Sequence, residues 1–92
     1  MARITHYRIS IYGSKDGDGT SRAIVTLQNG NNTVGTIRFI DPGLPIPEDR
    51  QSRTILMHLP LSLLASVIDV LRNESPMMID FVSTAAVLRR AT

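Results

Sequence analysis

Three arginines stand where a sheet could present them together. Arg8, Arg22 and Arg38 each fall on the polar side of an alternating apolar and polar segment. Ser10, Thr26, Thr36, Gln28 and His58 share that side by the two-residue period of a strand. Guanidinium groups among hydroxyls can follow a phosphate backbone, because the arginine fork matches two phosphate oxygens at once. Single-strand binders add stacking aromatics to such a face, and Tyr12 is the aromatic available there. Arg8, Arg22, Arg38, Tyr12 and His58 are therefore the candidate nucleic-acid contacts. The plainer reading is a solvated face of an antiparallel sheet, which is polar by default. Ile24, Ile40 and Leu56 lie on the same side, more aliphatic surface than a solvated face needs. They form the candidate oligomer interface.

Other chemistries find little support. Asp16-x-Asp18-Gly19 has the start of a calcium loop, but a loop opening at Asp16 would place Leu27 where a bidentate Glu is required. His6 and His58 are the two histidines, with no cysteine and no adjacent carboxylate to complete a metal set. No Gly-x-Ser-x-Gly stands in the chain, and Lys15 lacks the glycines of a phosphate loop. Asp69 and Asp80 are carboxylates without a visible partner in the sequence. The expectation is a protein that is not an enzyme and carries no cofactor or metal. The alternative is an enzyme or small-molecule binder with its site at the proline-rich loop 41–50, whose length exceeds that of an ordinary connection.

The elements that would position these residues are clear in outline. Segments 4–12, 23–28, 34–40 and 54–59 alternate and are rich in β-branched residues, so they predict four strands. Residues 13–20 have turn composition, and Asn29-Gly30-Asn31-Asn32 predicts a tight hairpin. Gly35 leaves a gap in the third strand and suggests a bulge. Leu61, Leu64, Ile68 and Leu71 recur at helical spacing, giving a helix over 60–72 with Pro60 in its first turn and Asn73 as its cap. Residues 77–82 alternate again as a fifth strand. Residues 85–90 read either as a sixth strand or as a short helix, with the strand preferred. The fold class expected is α+β: a four-stranded antiparallel meander, one helix packed on it, then one or two short strands. The helix stripe should meet Tyr7, Ile9, Ile11, Val25, Leu27, Ile37, Phe39, Ile55 and Met57.

Composition sets the remaining bounds. Ninety-two residues make a single domain, 1–92, with an ordinary apolar fraction of 42%. The core is mostly aliphatic, and a small aliphatic core with sheet edges to hide favours a homo-oligomer, a dimer first. The absence of cysteine excludes disulfides and thiolate chemistry. With no apolar leader at residues 1–5 and no run long enough to span a bilayer, the expected place is the cytoplasm of a bacterium, without membrane contact. Net charge is +2, carried by nine Arg and one Lys against eight acids. Such an arginine excess also arises from GC-rich coding alone.

Gly35-Thr36-Ile37-Arg38-Phe39, Leu59-Pro60 and the helix end Leu71-Arg72-Asn73-Glu74-Ser75-Pro76 resemble a family of small bacterial proteins of unknown function. That resemblance implies no activity. Separately, four strands followed by a helix is similar in element order to the unit of PUR and whirly nucleic-acid-binding proteins. The likeness lies in order and not in motifs, and fold alone does not give function.

Overall fold

The computed structural model describes residues 2–13, 21–74 and 76–90. The Asp16/Asp18 turn and Lys15 lie outside the described residues. The alternating segments form strands β1 (Ala2–Ile4), β2 (His6–Ile11), β3 (Ser21–Asn29), β4 (Asn32–Ile40), β5 (Arg50–Gln51), β6 (Ile55–Pro60), β7 (Met77–Val82) and β8 (Ala85–Arg90). One helix, α1 (Leu64–Asn73), follows a single 3₁₀ turn at Leu61–Leu63. The class is α+β with mostly antiparallel pairing. The strands make two sheets, ordered β1-β7-β8 and β2-β3-β4-β6-β5.

Two features depart from the expected meander. The first strand is broken at Thr5, so that β1 pairs with β7 and β2 with β3. Thr5 and His6 both face Gln28: the Thr5 N–H donates to the Gln28 carbonyl at 2.8 Å, and His6 is the ladder partner of the same residue. The chain bends at Thr5 and leaves the β3 ladder there. The Thr5 hydroxyl accepts from the Gly30 N–H at 2.8 Å and fixes the bend to the β3–β4 turn, where Gly30 takes a positive φ of 63°. The second departure is that β6 runs parallel to β4. Segment 41–54 is therefore a crossover, and its end folds back as β5 against β6. Parallel neighbours need a connection of a dozen residues or more, which accounts for the length of the proline-rich stretch.

The core lies between the sheets. Ala23, Val25, Leu27, Ile37 and Phe39 are fully buried on the inner face of β3 and β4, and Ile79 of β7 meets them from the other sheet. Gly35 permits that approach: a Cβ there would lie 3.1 Å from Ile79 Cδ1 and 3.2 Å from the Ile55 carbonyl. The register shift expected near Gly35 occurs at its neighbour, since Leu27 pairs with Gly35 and Gln28 with Thr33, leaving Val34 over. Ile9, Tyr7 and Met57 pack against the core from its margin. Ile11 does not; at the end of β2 it is 66% exposed.

The helix docks through Leu64, Val67 and Leu71, with Val67 the buried member. The expected stripe ran through Ile68, which is only half-buried. Pro60 is the last residue of β6, in extended conformation (φ −67°, ψ 147°), and not the first of the helix. Asn73 acts at the helix end, its amide donating to the Asp69 carbonyl at 3.1 Å and to Asp69 Oδ1 at 2.7 Å. β7 and β8 form a hairpin through Ser83-Thr84, with Ser83 at φ 59°. No helix among the described residues is long and apolar enough to cross a membrane.

Candidate anion-binding face

The outer face of the five-stranded sheet carries the candidate residues in rows set by register. Arg8, Thr26, Thr36, Leu56 and Arg50 form one row across β2, β3, β4, β6 and β5. Ser10, Ile24, Arg38 and His58 form the next. Tyr12 and Arg22 follow, joined by a bond from the Tyr12 N–H to the Arg22 carbonyl at 2.8 Å. The face thus gathers Arg8, Arg22, Arg38, Tyr12 and His58. Arg8 and Arg38 stand two strands and one row apart, about 12 Å at a strand spacing near 4.8 Å and a rise near 3.4 Å per residue.

The four arginines of this face are not equivalent. Arg22 is the extra residue where Ser21 pairs with Ile40 and Ala23 with Phe39. Its Nη2 donates to Asp41 Oδ2 at 3.0 Å, so much of its charge is neutralised within the chain. Arg8, Arg38 and Arg50 make no ion pair with a described residue. Arg8 and Arg50 are exposed, and Arg38 is half-buried. The Nε groups of Arg22 and Arg38 are buried without a hydrogen-bond partner among the described residues. A buried guanidinium N–H lacking an acceptor is costly.

The sequence pattern does not single out Arg50, because two residues of strand are too few to show alternation. The signal available was length: a crossover must return beside its destination strand, and β5 lays Arg50 opposite Leu56.

His58 lies beneath this charge. Its side chain is 7% exposed, and burial lowers its pKa from the ordinary 6.5. Asp49 opposes that shift, Arg38 adds to it, the Glu48 carbonyl opposes it, and Arg50 adds to it. Burial thus favours the neutral imidazole. His6 does not approach it, because β3 and β4 separate their strands. Among the described residues, no three His, Asp or Glu side chains gather as a metal ion would need.

Both aspartates of the crossover are engaged in holding the fold. Asp41 pairs with Arg22. Asp49 accepts from two strands at once, the His58 N–H at 2.7 Å through Oδ1 and the Ala86 N–H at 2.9 Å through Oδ2. One carboxylate thus joins β6 of one sheet to β8 of the other. Above this seam, Met57, Leu59, Val67, Val70, Ala86 and Leu88 line an open apolar cleft of about 400 Å³ between β6, α1 and β8. Of the expected interface residues, Ile24 and Leu56 are half-buried. Ile40 is only 1% exposed and offers no surface. Asp80 is buried and accepts from Arg89 Nε and Nη2 at 2.7 and 2.6 Å, a structural pair on β7 and β8.

Comparison of the chain with protein-family models, with curated proteins and with solved structures finds no match.

Proposed function

We propose that this protein acts by binding and not by catalysis, and that its ligand is a phosphate-bearing polyanion held on the outer face of the five-stranded sheet. Single-stranded nucleic acid is the ligand class that fits best. The observation that carries this reading is the set Arg8, Arg38 and Arg50, which share one face with no ion pair to a described residue. Hydroxyls of Ser10, Thr26 and Thr36 lie among them as neutral donors to phosphate oxygens. Tyr12, half-buried at the edge, is the one aromatic placed to stack on a base. A bacterial, cytoplasmic and homo-oligomeric protein agrees with the lack of cysteine and the unguarded sheet edge described below. Fluorescence anisotropy with a labelled single-stranded oligonucleotide at low salt tests the reading. Saturable binding supports it, and no binding at high micromolar protein removes it.

One observation favours a second reading, a small-molecule binder. The apolar cleft beside α1 has the size of a small-ligand site, although it adjoins the crossover and is not formed by residues 41–50. An apolar fluorophore whose emission rises with wild-type protein and not with Val70→Glu would support it.

A further inference from the structure

Among the described residues most strand edges are guarded, and β1, an edge of the smaller sheet, is only three residues long. β5 is two residues long, β6 ends in Pro60, and the Ala86 N–H on the outer side of β8 is held by Asp49. Short strands, prolines and such covers are the ordinary protections of an edge. β2 has none of these. It runs for six residues at the end of its sheet with no Lys and no Pro, and its Ile11 is 66% exposed.

The hydrogen-bond phase of this edge follows from its inner partner. Tyr12 donates to the Arg22 carbonyl, so Tyr12 and Arg22 are a hydrogen-bonded pair. Such pairs recur every second residue in an antiparallel ladder. Ser10, Arg8 and His6 therefore direct their N–H and C=O groups to β3, and Tyr7, Ile9 and Ile11 direct theirs outward. No described residue pairs with that outward row.

We propose that β2 is a dimerisation edge, on which two copies pair antiparallel about a two-fold axis through Ile9. Their five-stranded sheets then join into one continuous sheet. A two-fold axis normal to the sheet keeps each face on its own side, so residues of equal parity must oppose one another. With Ile9 opposite the partner's Ile9, Tyr7 falls opposite the partner's Ile11. Each of these pairs can exchange both N–H···O bonds, because these are the outward-directed residues. The exposed Ile11 of each copy is covered by the partner's Tyr7, an aromatic beside a β-branched residue. On the other face Arg8 meets the partner's Ser10, so no like charges are opposed. Moving the axis to Arg8 would set Arg8 against the partner's Arg8 and leave Ile11 against the partner's Thr5. Hydrogen-bond phase allows either axis; the side-chain pairing, and the Thr5 N–H already given to Gln28, select the one through Ile9. The arginine faces of the two copies become neighbours across the axis.

The test is mass in solution, measured without oligonucleotide, so its outcome is separate from the anion reading. Sedimentation or light scattering at high micromolar concentration should give about twice the monomer mass of 10.1 kDa. Ile11→Lys should give a monomer with unchanged circular dichroism, since that side chain is exposed. Val82→Lys, at an exposed apolar site on the other sheet, should leave the dimer intact. The chain has no cysteine of its own, so oxidised Arg8→Cys/Ser10→Cys should yield a covalent dimer through the facing pair. A wild type at the monomer mass, an Ile11→Lys variant still dimeric, or a double-cysteine variant that forms no covalent dimer would overturn the proposal.

Discussion

Asp49→Ala should be among the most damaging substitutions outside the apolar core. Asp49 is 14% exposed at its side chain and accepts two backbone N–H groups, at 2.7 and 2.9 Å, from strands in different sheets. A hydrogen bond to a charged group contributes about 1.5–3 kcal/mol net, and an N–H left without an acceptor forfeits its hydration as well. Two such bonds give about 3–6 kcal/mol. Water reaching the seam replaces part of this, which places the cost near 3 kcal/mol. Against a total of about 5–15 kcal/mol, that is a large share. Asp49→Asn keeps one acceptor oxygen and should fall between wild type and Ala. Urea denaturation followed by circular dichroism reads the loss. Amide exchange locates it, because His58 and Ala86 should lose protection ahead of other strand residues. A loss under about 1 kcal/mol, or unchanged protection at both amides, would refute the clamp.

Gly35→Ala should destabilise by about 1–3 kcal/mol through overpacking, because the new methyl meets Ile79 Cδ1 and the Ile55 carbonyl; a midpoint equal to wild type would contradict the close packing of the sheets. Val67→Ala should cost more than Ile68→Ala in the same assay although it removes less side chain, since Val67 is the buried residue of the helix; the reverse order would mean that the helix docks through another face. Burial holds the His58 pKa below the 6.5 of an unfolded chain, so the unfolded state takes up the proton first as pH falls. Stability should then be fully present above about pH 6.5, decline below it, and level off under the folded-state pKa. His58→Gln should remove that part of the slope in pH-dependent denaturation, and an unchanged slope would assign it to other groups.

What the sequence discloses here depends on how local the determinant is. Alternation places the strands from 21 to 82 except β5, because an inner face of Val25, Leu27, Ile37 and Phe39 against polar neighbours is written in consecutive residues, while 85–90 reads as either strand or helix. The partner of each strand is less visible. The parallel run of β6 beside β4 is hinted at only by the length of 41–54, and that length also suits a functional loop. The break at Thr5 rests on a hydroxyl bonded to Gly30, a contact between residues distant in the chain. Val67 and Ile68 are both apolar, and only the position of the sheet decides which is covered. The candidate face was legible in Arg8, Arg22 and Arg38 because parity alone selects a face. That Asp41 engages Arg22, and that Arg50 joins the set, both follow from the path of the crossover.

The most direct test of the account is the salt dependence of single-stranded oligonucleotide binding, compared across four arginine variants. Each arginine that contacts phosphate adds about one unit to the slope of log affinity against log salt. Arg8→Ala, Arg38→Ala and Arg50→Ala should each flatten that slope by about one unit. Arg22→Ala, whose guanidinium is held by Asp41, should leave it nearly unchanged. Equal slopes in wild type and all four variants, or the largest change at Arg22, would contradict the assignment of this face.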